Sequence, residues 1–491
     1  MHVRAFAALA ALATLGSAAG CAPRAARGGH APRTELAATL DRALADPALR
    51  QTGAAVLVVS LDRGDTLYSR EPDRLYTPAS NLKLFTAATA LHVLGADHRF
   101  RTALVATGPV RGDTLLGDLV LIGRGDPDLV TAHLAALADT VAARGIRAIR
   151  GDVRADPSWF DAVEWGAGWM WDDGPYWYWP FLSALTVNDN TVSLRLRPGA
   201  APGAPVAVAL DPPTDYMTVR VTATTGPAGS PSTLDVDRHW TPRRENVIDV
   251  TGSLPLNADS LVEVRSVEDP ALYAVTLLTE LLAARGVQLT GTVRHGPLDP
   301  REAAADTLAR HDSDSLAVSV RNFLKISDNL TGELLLKAIG AVTAGPPGSY
   351  AKGLAAERAF LADAVGLDTL ALRLADGSGV SRYNLVTARQ LVHLLAYMAG
   401  RSDLGPVYAA ALPIAGVDGT LENRLGDTAA ARRALAKTGS LEGVSTISGY
   451  VLSAEGERLA FSVLMEFYVG STTPRRVVQD SLVAALARFR R

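Results

Sequence analysis

The chain has 491 residues, 48% hydrophobic and 6% aromatic, with 48 Lys and Arg against 51 Asp and Glu. The near-balance of charge, with no run of one sign, marks neither a nucleic-acid face nor an acidic-lipid patch, and the length suits about three domains. A single cysteine, Cys21, excludes intrachain disulfides, thiolate zinc sites and a cysteine nucleophile in the body.

The chain opens with a segment of its own character. Arg4 follows three non-acidic residues, Ala5 to Gly16 are almost wholly apolar, and small residues lead to Cys21, the pattern of an export signal. Its apolar run is shorter than the ~20 residues of a membrane helix, so it is expected to be removed. Ala18-Ala19-Gly20-Cys21 resembles a bacterial lipobox, which implies loss of residues 1–20 and lipidation of Cys21 as a membrane anchor. Ordinary cleavage after Ser17-Ala18-Ala19 is the alternative, and either route places the protein in the periplasm or cell envelope.

Residues 21–34, small, basic and Gly/Pro-containing, are predicted to be a tether before a helix over 35–45. Valine- and leucine-rich runs at 54–61 and 66–69 flank Asp62-Arg63-Gly64-Asp65 and predict a hairpin. From Ser80 a helix follows that is apolar on nearly every side, hence buried, a costly setting for Lys83. Short valine-rich strands and Gly/Pro/Asp turns dominate from Phe100 to Val264, with a Pro/Gly-rich stretch at 198–231 nested inside. Helical patterns return from Pro270, and two alternating segments, 445–452 and 459–468, precede a last helix over 475–488.

Three short motifs occur in order: Ser80-Asn81-Leu82-Lys83, Ser327-Asp328-Asn329 and Lys437-Thr438-Gly439. Together they are the set of penicillin-binding proteins and serine β-lactamases. Ser80, at a helix start, is the expected nucleophile, and Lys83, three residues on, can reach its hydroxyl. As a general base Lys83 must be neutral near pH 7, which burial and a second cation, Lys437, both favour. Ser327 is expected to relay a proton to the leaving amine, Asn329 to bond the substrate amide, and Lys437 to hold the substrate carboxylate. Thr438, Gly439 and Ser440 are expected on an edge strand that pairs with an extended peptide, the N–H groups of Ser80 and Ser440 forming an oxyanion hole. Only five lysines stand among the 48 basic residues, and two fall in these motifs. A second S-x-x-K, Ser349 to Lys352, follows a Gly/Pro turn, is out of order with the others and reads as the start of an amphipathic helix with Glu357 and Arg358 exposed.

At these residues the chain resembles the D-alanyl-D-alanine carboxypeptidase/endopeptidase family, class C penicillin-binding proteins with a large insertion between the first two motifs. Gly123-Arg124-Gly125-Asp126-Pro127, Asp376-Gly377-Ser378-Gly379 and Gly416-Val417-Asp418-Gly419-Thr420-Leu421 carry the likeness further. The resemblance implies an α/β fold: a penicillin-binding-protein/β-lactamase-like transpeptidase domain with two smaller, mainly β inserted domains. The expected division is a catalytic body of 35–96 with 270–491, a first insertion of 97–197 with 250–269, and a nested one of 198–249. It also implies peptidoglycan stem peptides as substrate, cut at the terminal D-alanine or at a cross-link, and β-lactams as covalent inhibitors. For a diaminopimelate-type side chain, Asp161 and Arg382 are candidate partners of its amine and carboxylate.

Six of the seven tryptophans lie between Trp159 and Trp179, a cluster read as packing rather than a sugar platform. The nine histidines show no paired metal spacing, so neither metal nor cofactor is assigned. Two rivals share the motifs: a β-lactamase, distinguished by rapid nitrocefin turnover, and a wall-binding scaffold, distinguished by binding without D-alanine release.

Overall fold

The computed structural model describes residues 31–171, 174–239, 244–302 and 306–491. Its centre is a five-stranded antiparallel sheet in the order Thr66–Arg70, Gly53–Ser60, Arg458–Glu466, Val444–Leu452, Ala434–Leu441. Both ends of the chain thus build one sheet. Period-two alternation assigns its faces. Ala54, Val56 and Val58, with Leu459, Phe461 and Val463, pack under the helices Ala31–Leu44 and Thr473–Arg488. Ala55, Leu57, Ala460 and Leu464 face a second cluster built on Lys83–Leu94, Leu316–Ile326, Asn329–Ala344 and Ala388–Gly400. The helix Lys83–Leu94 is the buried centre of that cluster, which is why its sequence is apolar all round.

The insertion leaves this body after Gly95, a C-cap glycine at φ 86°. Its main sheet runs Val293–His295, Val153–Asp156, Leu119–Ile122, Arg101–Ala106, Asp306–Asp312. Packed helices Thr131–Ala143 and Pro270–Ala283 accompany it, the latter opened by Pro270 and by the Asp269 side chain accepting from the Leu272 N–H at 3.2 Å. A second group of small sheets is formed by strands between Thr191 and Ser266. Within it the pair Arg238–Glu268 closes at 2.8 Å with both side chains buried. Val192, Leu194, Ile248 and Leu254 belong to the same apolar cluster as Leu104, Leu121 and Leu137, so the two inserted groups share a core.

Four expectations need correction. The return to the catalytic body comes near 313, not at Pro270: Asp306–Asp312 pairs along Arg101–Ala106, and the Ser313 N–H donates to the Phe100 carbonyl at 2.9 Å. Helical periodicity after Pro270 looked like the catalytic body because it reports burial, not which core does the burying. The nested group begins at Thr191 and ends at Ser266, wider than 198–249, because Thr191–Arg197 pairs with both Ala207–Asp211 and Leu261–Ser266. The stretch 21–34 is already helical from Ala31, while the signal segment and Cys21 lie outside the described residues. Glu357, expected exposed, is buried against Thr86 of the central helix, because the helix Tyr350–Ala359 is covered along that side. Among the described residues no helix is long and apolar enough to cross a membrane.

If the insertion closes through Asp306–Asp312, a fragment spanning 98–314 should unfold in a single thermal transition by circular dichroism. One ending at 269 should show none; equal melting of the two would contradict the corrected boundary.

Candidate active site

The three motifs meet at one end of the sheet. Ser80 lies in a 3₁₀ turn, Ala79–Leu82, that runs directly into the helix beginning at Lys83. In such a turn side chains three apart eclipse, which brings the Lys83 ammonium over the serine. Lys83 Nζ stands 2.9 Å from Ser80 Oγ, 2.7 Å from Asn329 Oδ1 and 2.7 Å from the Ser378 carbonyl. The Asn329 orientation is fixed from its other end, where Nδ2 donates to the Tyr178 carbonyl at 2.7 Å; a flipped amide would set two oxygens together.

Ser327 occupies the corner between two helices with φ 64° and ψ 38°, a left-handed conformation that an L residue adopts at a cost. Asp328 then caps Asn329–Ala344 through the N–H groups of Leu330 and Thr331. This corner places Ser327 Oγ 2.8 Å from Lys437 Nζ, which also donates to the Thr438 carbonyl at 2.8 Å. Lys437 lies on Ala434–Leu441, the edge strand of the sheet. A Cβ on Gly439 would come within 2.8 Å of the Ser80 nitrogen and 2.3 Å of Thr446 Oγ1, so glycine is what lets strand and serine turn approach.

Both lysines are fully buried. Burial pushes Lys83 down to about 8, against the upward pull of Asp328, Asp376 and Glu333. Lys437 is held well below the usual lysine range, first by burial and then by the charge of Lys83. Behind them sit two carboxyl groups, Asp376 of the Asp376 to Gly379 stretch and Glu333, the second of which sequence patterning did not single out. Glu333 accepts from the N–H groups of Gly377 and Ser378 at 3.0 and 2.8 Å, fixing the turn whose Ser378 carbonyl faces Lys83. Burial raises Glu333 to about 8, Asp376 adding to the rise. Asp376 accepts from the Gly379 and Ser381 N–H groups and from Trp169 Nε1 at 3.0 Å, tying the tryptophan-rich loop to the site. The signal available for Glu333 was that it is the one carboxylate of the helix Asn329–Ala344, set beside a run of leucines.

A cleft of about 650 Å³ opens on this cluster, lined by Ser80, Ser327, Asn329 and the strand from Thr438 to Leu441. Arg382 lines it too, its guanidinium donating to the Glu442 carbonyl at 2.9 Å. Asp161 does not: it is paired at 2.7 Å with buried Lys337. Arg424, Arg476 and Thr420 also reach the cleft; Thr438 Oγ1 donates to Thr420 Oγ1 at 2.7 Å, and the Arg476 guanidinium donates to Ser440 Oγ at 3.3 Å. No short motif announced the two arginines, whereas Thr420 lies in the Gly416 to Leu421 stretch. Ser349 caps its helix through the Lys352 N–H, and Lys352 Nζ donates to the Gly345 and Pro347 carbonyls, so the second S-x-x-K holds a turn. The tryptophans divide: Trp165 and Trp179 pack at 4.5 Å between ring centroids, whereas Trp177 is half exposed on the cleft and Trp171 is 78% exposed. Trp240 lies outside the described residues, within which no group of three His, Cys, Asp or Glu is placed to hold a metal.

A mixed α/β body carrying β-rich insertions, with this site at the edge of its sheet, has the fold of the penicillin-binding proteins. The D-Ala-D-Ala carboxypeptidase 3 (S13) family matches residues 36–489, and the chain belongs to that family of serine-type carboxypeptidases. It is 41% identical to a D-alanyl-D-alanine carboxypeptidase of Actinomadura sp. strain R39 over 96% of this chain and 88% of the relative. It is 30% identical to the D-alanyl-D-alanine carboxypeptidase DacB of Haemophilus influenzae over 79% of this chain and 80% of the relative. Penicillin-binding protein 4 (dacB) from H. influenzae superposes with a TM-score of 0.80 at 26% identity, covering 93% of this chain and 99% of that one. The same protein complexed with a β-lactam superposes with a TM-score of 0.73.

Gly439→Ala should slow acylation by fluorescent penicillin by roughly 100-fold, the scale of a misplacement of about 1 Å at a reacting group. The overlap should also cost about 1–3 kcal/mol of stability, so the rates are compared at a temperature where circular dichroism shows both proteins folded; unchanged acylation there would show that the close approach is not needed.

Proposed function

We propose that the enzyme releases the terminal D-alanine of peptidoglycan stem peptides, and cuts D-alanyl cross-links, through an acyl-enzyme on Ser80 that β-lactams also form. The observation that carries this reading is the set of partners around Lys83. Of the three, Asn329 Oδ1 and the Ser378 carbonyl can only accept, while Ser80 Oγ can also donate. A neutral Lys83 keeps N–H bonds to the two obligate acceptors and turns its lone pair to the serine hydroxyl. The buried frame therefore selects Ser80 as the proton donor to Lys83.

The two buried lysines lie close enough for the charge of one to depress the other, so holding both as ammonium is unfavourable. A substrate carboxylate arriving at Lys437 stabilises the proton there and leaves Lys83 free as base. Ser80 then attacks the D-alanyl carbonyl as its proton passes to Lys83, and the N–H groups of Ser80 and Ser440 receive the developing oxyanion. Lys83 returns the proton to the leaving nitrogen through Ser327, whose oxygen Lys437 holds. The carbon–nitrogen bond breaks, D-alanine departs, and water repeats the sequence on the ester to regenerate Ser80. Thr438, Gly439 and Ser440 pair with the extended peptide along the free edge of the strand. Asn329 acts on Lys83 rather than on the substrate amide alone, since both ends of its own amide are engaged. Arg382 remains the candidate cation for a side-chain carboxylate because it lines the cleft. Asp161 would have to give up Lys337 to meet an amine.

The enzyme should take one penicillin per chain by intact mass, and Ser80→Ala none, with D-alanine release lost in the same variant. A folded wild type that neither forms the adduct nor hydrolyses the drug would overturn the reading. Export and anchoring through Cys21 belong to the same proposal: a fatty-acid analogue should label wild type but not Cys21→Ser, and equal labelling would refute the anchor.

A further inference from the structure

A second cleft, of about 420 Å³, opens at the other end of the edge strand, where Arg433 and Leu435 begin the run that reaches Lys437 and Gly439. Its floor is apolar: Leu61, Leu435, Tyr450 and Pro406, with Leu435 and Tyr450 resting on the catalytic core cluster. Its rim carries four arginines from three separate segments, Arg401, Arg432, Arg433 and Arg458. No run of basic residues in the sequence announces them, because folding brings them together.

Two of the four are neutralised in place: Arg401 is held by Asp403 at 2.6 Å and Arg458 by Asp62 at 2.7 Å. Arg433 donates to the Ser453 carbonyl, a neutral partner that leaves its charge uncompensated. The Arg432 guanidinium makes no hydrogen bond or ion pair among the described residues, and its backbone holds φ 58°, a left-handed conformation unfavourable for arginine. The rim therefore presents two unbalanced positive charges over an apolar floor. That combination fits an anionic amphiphile, whose chain lies on Leu435 and Tyr450 while its phosphate meets the Arg432 and Arg433 guanidinium groups.

We propose that this cleft binds the phosphate head and the first part of the chain of an anionic lipid, seating the enzyme on a membrane surface with its catalytic cleft at the opposite end of the strand. The side on which the chain enters the fold agrees with this placement. Arg33 of the first described helix pairs with Asp65, three residues beyond Asp62 in the hairpin turn that borders the cleft. A lipid on Cys21 would strengthen the same orientation, but the cleft does not depend on it.

The test is calorimetric titration of the Cys21→Ser chain with lysophosphatidylglycerol below its micellar concentration, beside lysophosphatidylcholine and inorganic phosphate. One lysophosphatidylglycerol should bind per chain, Arg432→Glu/Arg433→Glu should weaken it at least tenfold, and prior acylation of Ser80 by penicillin should leave it unchanged. Penicillin acylation of the double variant at the wild-type rate shows that it is folded. Equal binding of lysophosphatidylcholine would reduce the cleft to an apolar surface, and equal binding of phosphate would reduce it to a simple anion site. Either result, or full binding by the double variant, overturns the proposal.

Discussion

Two lysine side chains are buried near each other, Lys83 on Ser80 and Lys437 on Ser327, and the rest of the body is arranged around the cost of keeping them there. A lone ammonium in an apolar interior is expensive, and two that repel each other are more so. The protein meets this by giving each ammonium oxygen partners and by placing Asp328, Asp376 and Glu333 near Lys83 without a direct ion pair. A direct carboxylate partner would lock Lys83 in its charged form. Carboxyl groups that act on it only through the field lower the cost of the charge and still leave the amine able to lose its proton.

Rigid elements hold this balance. The serine turn precedes a deeply buried helix, the Ser327 corner is pinned between two packed helices, and the Lys437 strand is fixed on one side by Val444–Leu452 while its other edge, bridged to Ile414 at Leu435, is unpaired by strands beyond it. Gly439 removes the one Cβ that would keep strand and turn apart. The insertion contributes through the Tyr178 carbonyl on Asn329 and through Trp169 on Asp376, so a unit with its own core also sets the orientation of groups around Lys83. Loss of those contacts would be felt at Lys83 without unfolding either body.

The meeting of the three motifs was legible because each is local in sequence: a serine and lysine three residues apart, a helix-capping Ser-Asp-Asn, a lysine followed by threonine and glycine on a strand. The hairpin, the two late strands and the last helix were legible from period-two and helical patterning. What escaped depends on contacts between distant segments. The strand Asp306–Asp312 belongs to the insertion only because Arg101–Ala106 pairs with it. Glu357 reads as a surface residue until the neighbouring helices cover it. Asp161 has the composition of a substrate partner but finds Lys337 instead, while Arg424 and Arg476 reach the cleft from segments without any motif. Neighbours across the fold, not residue type, decide each of these.

To serve as the base for Ser80, Lys83 must be a proton acceptor at working pH. Because the chain has only five lysines, ¹³Cε-lysine labelling gives a spectrum in which each side chain can be followed, and Lys83→Arg identifies the signal that matters. The depressed value means that the neutral amine prevails above about 8 and is lost as pH falls below it. The Lys83 signal should titrate near pH 8, with the pH dependence of acylation following it. A Lys83 signal still fully protonated at pH 10 would contradict its role as base.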